Sequence, residues 1–443
     1  MKESGIDWIG QIPEEWEVAK VNHIFEEHKQ KNRGNKEKNL LSLSYGRIIR
    51  KSIDSSFGLL PESFDTYNII QRGDIVLRLT DLQNDKRSLR VGLARENGII
   101  TSAYLTLRLK NLESNDSYMY YLLHTYDICK VFYNFGGGVR QGGTWSDIYK
   151  MELLIPPCNE QQKIADFLDK KTAQLDKVKA LLGEQIQKLK DYRASLIYET
   201  VTKGLDKTVP VKDSGIDWIG QVPQGWGVSK LKFTLEKVSN NIKVGPFGSS
   251  LSGDAIRSSG KWVYNQRNVL DNNFTETDTF ISDAKWKELK NFSVVSGDIL
   301  LTTRGTIGRI AIVPKDYFEG ILHPCLMKFR VDSHIVQPRL IKYFFNDTTL
   351  VKEQLKFLSN STTIDVIYSY NLKNIIIPII PLEEQYGIVE YLDKQCSNVD
   401  ALIKVKQEQI DNINQQRQTL IYDYVTGKRR VQKSNLYLVE TTE

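Results

Sequence analysis

Arginine, glutamine and asparagine residues stand beside glycines in several segments of this chain that we predict to be loops. Leu301 to Gly308 reads LTTRGTIG, Tyr264 to Val269 reads YNQRNV, and Gly136 to Thr144 reads GGGVRQGGT. An arginine side chain can hold guanine, and asparagine or glutamine can hold adenine, through two hydrogen bonds each. Glycine lets a backbone approach another surface closely. Together these loops predict contacts with DNA, whereas an ordinary surface loop is the alternative for each residue taken alone.

The predicted DNA contacts come from both halves of the chain. In the first half they are Arg47, Lys51, Arg78, Arg140 and Gln141. In the second half they are Lys243, Ser249, Ser250, Gln266, Asn268, Arg304 and Thr306. Lysine and arginine would fix the register by binding phosphates, and the loop side chains would select bases.

Motifs for catalysis are missing from the sequence. It contains no GxxxxGK followed by serine or threonine, which would cradle nucleotide phosphates, and no Asn/Asp-Pro-Pro-aromatic tetrapeptide of adenine methyltransferases. The five histidines lack the spacing of metal ligands, and the four cysteines form no CxxC pair. We therefore expect a chain that is not an enzyme by itself and that binds no metal and no cofactor.

Length and composition favour a protein of several domains that does not enter a membrane. A chain of 443 residues exceeds one ordinary core, and 40% apolar with 26% charged residues is normal for globular proteins. No apolar run is long enough to span a membrane, and the N-terminus lacks a signal peptide. With its scattered cysteines, the chain is expected in the cytoplasm. The net charge of +6 is compatible with a nucleic-acid partner but is weak evidence alone.

Two blocks of the sequence are repeated. SGIDWIGQ occurs at Ser4 to Gln11 and again at Ser214 to Gln221, followed each time by proline and tryptophan at the same offsets. The block IPPCNEQQKIADFLD recurs as IPLEEQYGIVEYLD, beginning at Ile155 and Ile380. The middles between these blocks differ. One plan is therefore written twice, which predicts two unlike surfaces on a common frame.

A long helix follows each repeated tail block. Neither segment, from about Glu160 to Thr202 and from about Glu384 to Thr426, contains proline, and apolar residues recur at steps of three, four and seven. About 43 residues would span roughly 65 Å. The residues predicted to pack between the helices are Ile164, Leu168, Leu175, Val178, Leu189, Ile388, Leu392, Val399, Leu402 and Ile413.

We expect the two helices to pack against each other as an antiparallel coiled coil. Each helix has an apolar seam to bury, and its sequence twin is the partner of matching length. The alternatives are that each helix packs on its own module or that the chain dimerises through them. The predicted fold is α+β with a pseudo-twofold repeat. Its parts are a module at 1–155, a helix at 156–205, a module at 206–380 with a linker at 206–213, a helix at 381–428, and a tail at 429–443.

This layout resembles the specificity subunits of Type I restriction-modification systems. The resemblance is carried by the repeated head SGIDWIGQIPEEW and SGIDWIGQVPQGW, by the repeated tail block, and by VGPFGSS, YNQRNV and GDILLTTRGTIG of the second module. It covers almost the whole chain. The first module departs from it, because the RGTIG segment is replaced there by TDLQNDKRS.

The resemblance implies a division of labour among several subunits. Each module, as a target-recognition domain, would read one half of a bipartite, asymmetric site on double-stranded DNA, and the helices would set the unread gap. Two methyltransferase subunits would dock on the helices and use S-adenosylmethionine to methylate adenine. Restriction subunits would use ATP and Mg to cleave unmodified DNA. A non-catalytic scaffold that binds protein or polysaccharide, or an enzyme with an unrecognised site, are the alternatives.

Overall fold

The computed structural model describes residues 1–51, 63–82, 85, 89–111, 113–135, 142–358 and 366–432. The chain divides into two compact units, Met1–Gly183 with Gln407–Glu443 and Glu184–Lys406. Each unit contains one mixed module and half of each long helix. Among the described helices, none is both long and apolar enough to cross a membrane.

The first unit consists mainly of short strands and one central helix. Its strands are β1 (Lys2–Glu3), β2 (Gln11–Ile12), β3 (Glu17–Lys20), β4 (Phe25–Glu27), β5 (Leu41–Ser44), β6 (Arg47–Arg50), β7 (Asn68–Ile70), β8 (Ile75–Leu77), β9 (Val91–Leu93), β10 (Gly98–Ile100), β11 (Leu105–Leu109) and β12 (Glu152–Ile155). Its helices are α1 (Val21–Ile24), α2 (Asp116–Ile128) and α3 (Trp145–Ile148), and α4 (Cys158–Lys203) continues into the second unit.

The second unit has a similar content. Its strands are β13 (Val211–Asp213), β14 (Gln221–Pro223), β15 (Gly227–Lys230), β16 (Lys243–Val244), β17 (Lys261–Tyr264), β18 (Phe280–Ile281), β19 (Ser293–Val294), β20 (Ile299–Thr302), β21 (Ile310–Ile312), β22 (Gly320–Leu322), β23 (Leu326–Phe329) and β24 (Ile376–Ile379). Its helices are α5 (Gln266–Leu270), α6 (Asp283–Glu288), α7 (Pro338–Asn346), α8 (Thr349–Leu358) and α9 (Ser369–Asn374), and α10 (Leu382–Val425) returns to the first unit.

Each unit is built around a four-stranded antiparallel sheet of the same strand order. In the first unit the order is β4-β11-β8-β9, and in the second it is β16-β23-β20-β21. The inner strands β8 and β20 read IVL and ILLT and are fully buried, as expected for strands covered on both faces. The second unit adds a mixed sheet, β18-β17-β22-β19, in which β17 and β22 are parallel.

A buried aspartate fixes the start of each inner strand. Asp74 accepts hydrogen bonds from Arg108 at 2.7 and 2.8 Å, and Asp298 accepts one from Arg330 at 2.6 Å. Each carboxylate also accepts a hydrogen bond from the backbone three residues earlier, at Gln71 and Val295. The preceding glycines have φ values of 94° and 82°, where L-residues are strained. The repeated GDI sequence is therefore a structural element of both sheets.

The two long helices run antiparallel in the first unit. Phe167 of α4 packs on Tyr424 of α10 with ring centroids 4.5 Å apart, and further along α4 Lys179 donates to Asn414 at 3.1 Å. Residues further along α4 therefore contact residues earlier in α10, as in an antiparallel pair. Ile164 and Leu168 share a core with α10 and with strands of the first module.

The second unit contains the complementary halves of the helices. Lys406 donates to Gln185 at 2.6 Å, and Arg193 pairs with Asp400 at 3.2 Å. Ile388 and Leu392 share a core with the last turns of α4 and with strands of the second module. The expected antiparallel pairing is therefore confirmed, and at their ends the helices also pack on the modules, as one alternative proposed.

Eight of the ten residues predicted to pack between the helices are buried or half-buried, and two are not. Val178 and Leu402 are 45% and 52% exposed. After Leu175 the seam continues by a step of four to Lys179, which reaches across to α10, so Val178 lies beside the seam. Leu402 likewise precedes the half-buried Ile403. The prediction for these two residues is therefore wrong.

Each long helix ends in a glycine that packs on a tryptophan of a repeated head. Gly204, with φ at 71°, follows α4 and faces Trp226 in the second unit, and Gly427, with φ at 72°, follows α10 and faces Trp16 in the first. Both tryptophans are buried, and their indole nitrogens donate to glutamates in the first turns of the long helices at 2.9 and 3.1 Å. We call these two arrangements the joints of the frame.

Candidate nucleic-acid interface

Three loops of the second module meet at the turn formed by residues 323–326. The loop after β20 is attached to this turn, because the backbone N–H and the hydroxyl of Thr303 both donate to the Cys325 carbonyl, at 2.9 and 2.8 Å. Within this turn, the His323 N–H donates to the carbonyl of Tyr264, the first residue of the YNQRNV loop. Backbone hydrogen bonds therefore hold these segments in one surface.

The VGPFGSS loop is pressed against the same turn. The Gly245 N–H donates to the Leu326 carbonyl at 2.9 Å. A Cβ atom at position 245 would overlap the carbonyl oxygen of His323, so only glycine fits this approach. Ser249 is exposed and Ser250 is half-buried on the 3-10 turn that follows.

Substituting Gly245 by alanine is expected to displace this loop and to weaken recognition by the second module. The new methyl group meets backbone, which cannot rotate away as a side chain can. Gly248→Ala is the matched control, because a Cβ there has no neighbour within 4 Å. Affinity for DNA should fall for the first variant alone, and equal behaviour of the two would contradict the assignment of this loop.

Gln266 and Asn268 have different roles, although both belong to YNQRNV. The Gln266 amide donates to the Thr306 carbonyl at 3.3 Å and so lies beside the RGTIG loop. Asn268 is 3% exposed, accepts from the Asn265 N–H, and donates to the carbonyls of Asn273 and Glu276. The prediction that Asn268 contacts DNA is therefore wrong, since its amide is consumed in shaping the loop.

Arg304 and Thr306 stand on the exposed part of the loop after β20. Gly305 and Gly308 have φ values of 68° and 80°, and the Gly308 N–H donates back to the Thr302 carbonyl at 2.9 Å, which closes a tight turn. Within the described residues, no carboxylate forms an ion pair with Arg304. Its five donors are thus available to an acceptor outside the protein.

Lys243 and the turn at 323–326 complete this surface. The Lys243 ammonium lies 5.0 Å from the centre of the Phe292 ring, so it is directed toward an aromatic neighbour. Burial lowers the pKa of His323 and raises the pKa of Cys325, whose sulfur lies 2.9 Å from the histidine Nδ1. These neutral side chains build the turn, and sequence spacing gave no signal for their role.

The equivalent loop of the first module is organised by a buried arginine. Arg90 is fully buried, and its guanidinium donates to the carbonyls of Arg78, Thr80, Asp81 and Asp85 and to the Tyr133 hydroxyl. Asp81 has φ at 58°, a conformation that non-glycine residues rarely adopt. Hydrogen bonds from Arg90 hold this loop in its conformation, whereas the corresponding loop of the second module turns at glycines.

Helix α2 holds the backbone of Arg90 through a hydrogen bond. The Arg90 N–H donates to the Asp127 carboxylate at 2.5 Å. Burial raises the pKa of Asp127 to about 6, and burial lowers the pKa of the neighbouring His124 to about 4. Both residues are almost fully buried and belong to the scaffold beneath the loop.

Arg78 lies at the start of this loop and pairs with Asp85 at 3.1 Å, with 29% of its side chain exposed. The Gly143 N–H donates to the Leu79 carbonyl at 2.7 Å, just as the Ile367 N–H donates to the Thr303 carbonyl in the second module. The GGGVRQGGT loop therefore ends beside the loop that follows β8. Arg140 and Gln141, the contacts predicted on it, lie outside the described residues.

Arg47 and Lys51 are on another part of the first module. Arg47 forms an ion pair with Asp176 of α4, and the Gly46 carbonyl between β5 and β6 accepts from the Tyr120 hydroxyl at 3.2 Å. Lys51 is exposed at the end of the hairpin. The structure thus places Arg47 on a face of the long helix. Across the described ranges, no group of histidine, cysteine and acidic side chains is arranged to hold a metal ion.

Comparisons with known proteins agree with this architecture. The family model of the Type I restriction modification DNA specificity domain matches residues 13–189 and again 238–415. The chain is similar to the Type I restriction enzyme MjaVIII specificity subunit of Methanocaldococcus jannaschii, with 25% identity over 96% of this chain and 95% of that protein. The putative MjaX specificity subunit of the same organism is 24% identical over 96% of both chains.

Among solved structures, one from a study of complex assembly and conformational transition of the type I R-M system has a similar fold. It matches with a TM-score of 0.68 and 16% identity, over 95% of this chain and 100% of that chain. Two copies of the family domain together cover more than half of the residues, at positions that contain most of both modules and most of both long helices. The chain therefore belongs to the family of Type I restriction-modification DNA specificity subunits.

Proposed function

We propose that this chain is the sequence-specific DNA-binding subunit of a Type I restriction-modification complex, in which each module reads one half of a bipartite, asymmetric site. The observation that carries the proposal is the pair of unlike loops at the same sheet position. The loop after β8 is built around Arg90, and the loop after β20 is built on Gly305 and Gly308. Equal scaffolds with different loops are suited to reading two different sequences.

The chemistry of recognition is clearest in the second module. Arg304 would donate two hydrogen bonds to guanine, and Gln266, beside the RGTIG loop, would pair with adenine. Ser249 and Thr306 are exposed and would donate to phosphates or base edges. In the first module, Arg78, Arg140 and Gln141 would read the other half, from loops that meet at Leu79.

The long helices would carry the partner subunits and set the gap between the half-sites. Val178 and Leu181 of α4 are 45% and 49% exposed, and the equivalent Leu402 and Val405 of α10 are 52% and 51% exposed. Similar exposure of these twin apolar pairs supports docking of two copies of one partner, the methyltransferase subunit. The restriction subunits would join the same complex.

The chain would contribute no catalytic group to the reaction. S-adenosylmethionine would belong to the methyltransferase subunits, and ATP with Mg to the restriction subunits. The complex would act in the cytoplasm, where the DNA is. The specificity chain would then supply affinity, register and the choice of bases.

Removing one base-reading arginine is expected to impair one half-site alone. Arg304→Ala should weaken binding by about 1–3 kcal/mol for the second half-site, the range of one good two-bond contact. Arg140→Ala should do the same for the first half-site. Binding to duplexes with one half-site scrambled measures each effect, and unchanged affinity and sequence preference in both variants would contradict the contacts.

Mapping methylated adenines in cells with and without this gene tests the whole proposal. We expect a bipartite motif with a fixed unread gap that is methylated only when the gene is present. If cells without the gene kept every methylated motif of cells that have it, the proposal would be contradicted. A scaffold for protein or polysaccharide would instead bind its partner with little dependence on salt, whereas DNA binding must weaken as salt rises because counterions are released. Activity of the purified chain alone on DNA would indicate a free-standing enzyme.

A further inference from the structure

Phe247 is the most exposed of the large hydrophobic side chains in the described part of the chain. The residue is 86% exposed, between Pro246 and Gly248 of the VGPFGSS loop. Single exposed apolar residues are common on protein surfaces, so exposure alone does not indicate a function. Two features distinguish Phe247 from other exposed apolar residues. Backbone hydrogen bonds hold its loop in place, and the neighbouring loops carry the predicted DNA contacts.

The loop holds Phe247 in a defined position. Before it, Lys243 and Val244 pair with β23, and the Gly245 N–H donates to the Leu326 carbonyl at 2.9 Å. After it, the Ser250 N–H donates back to the Phe247 carbonyl at 2.9 Å and starts a 3-10 turn. Backbone bonds on both sides thus present an apolar ring to solvent with little freedom to collapse onto the protein.

The loops that carry polar side chains assigned above to DNA are attached to the turn formed by residues 323–326. The loop of Phe247 and the loop of Arg304 both bond to residues 323–326, and Gln266 lies beside Thr306. An apolar ring among donors for base edges finds its complementary surface in the base stack, since the faces of bases are apolar and accept aromatic rings. Proteins that insert a phenylalanine between base pairs partly unstack that step and bend the duplex.

We propose that Phe247 inserts its ring between adjacent base pairs of the half-site read by the second module. This inference rests on the proposed function. Insertion adds affinity through stacking and makes that affinity depend on how easily the local base step opens, which is a form of recognition without hydrogen bonds. Phe247 is then a specificity-determining residue in addition to Arg304 and Gln266.

The test uses the full chain assembled with its methyltransferase subunits and a duplex containing the methylated motif. With 2-aminopurine placed in turn at each position of the second half-site, the wild-type complex should raise fluorescence at one step. Phe247→Ala should abolish that signal and weaken binding roughly 10- to 100-fold. Phe247→Trp should retain both signal and affinity. The dependence on salt should stay unchanged, because no phosphate contact is lost.

Phe233→Ala is the matched control, since Phe233 is 62% exposed on the same module but lies in the turn Leu231–Phe233, where Lys232 stacks on it. It should leave binding unchanged. Phe247→Ala with wild-type affinity would overturn the inference. Lost affinity without any fluorescence change, reproduced by replacing thymine with uracil, would assign the ring to a thymine methyl group and overturn insertion. Failure of the wild-type complex to bind the motif would instead reject the proposed function.

Discussion

Arg90→Met is expected to abolish reading of the first half-site while the second remains readable. The substitution keeps the apolar stem but removes the donors that bind four loop carbonyls and Tyr133. Each buried acceptor left without a partner costs about 1–3 kcal/mol, so the loop after β8 should leave its observed conformation. The measurement is affinity for duplexes in which either half-site is scrambled, together with the methylated motif in cells. We expect the first half of the motif to become degenerate.

A milder change separates loss of the loop from loss of the fold. Tyr133→Phe removes the hydroxyl that accepts from the Arg90 Nε at 3.1 Å and donates to the Asp85 carbonyl at 3.3 Å. It leaves the four bonds from Arg90 to loop carbonyls in place. It should weaken the first half-site by less than Arg90→Met does, with a thermal midpoint close to that of the wild type. Reading of the second half-site is the internal control in both variants. Equal loss at both half-sites would show that Arg90 acts on general stability instead of on one loop.

Lengthening both long helices by four residues is expected to widen the unread gap by one or two base pairs. Insertions after Gly183 in α4 and after Lys406 in α10 lie at matching levels, because Lys406 donates to Gln185. Four helical residues add about 6 Å, and base pairs are about 3.4 Å apart along the axis. The gap in the methylated motif reports the result directly. Both half-site sequences should stay unchanged, since no recognition loop is altered.

Gly183→Ala is the control for this experiment. A Cβ at Gly183 meets nothing within 4 Å, and replacing a glycine inside a helix should raise its stability by about 0.5–1 kcal/mol. The gap should remain that of the wild type. If the insertions left the gap unchanged, the helices would not determine its length. If Gly183→Ala alone shifted the gap, stiffness and not length would be the controlling property.

The frame was predictable because it depends on periodicity and on repeated local motifs. A seam of apolar residues is visible in the sequence and predicts helices from about Glu160 and Glu384. The observed helices begin two residues earlier, at Cys158 and Leu382. The segment Ile99 to Leu109, which reads IITSAYLTLRL, contains two strands, β10 and β11, with a turn between them. A run of strand-forming residues does not reveal a turn that lacks glycine and proline.

The recognition surface was less predictable because it depends on long-range pairs. Arg90 carries no sequence signal, and only its burial among carbonyls contributed by residues 78–85 reveals its role. Asn268 looked like a base contact because asparagine suits adenine, yet the same amide equally satisfies a buried turn. Val178 was misassigned by a single step of three instead of four along α4. Composition proposes donors, and only tertiary structure decides where they are used.

The two joints have a consequence for how such chains change over generations. Gly204 packs on Trp226 in the same way as Gly427 packs on Trp16, so the two variable segments lie between equivalent joints. Homologous recombination within the repeated blocks can exchange one middle for another without disturbing Trp16 or Trp226. Under the proposed function, a single crossover would then change one half of the recognised site and leave both long helices and both joints unaltered.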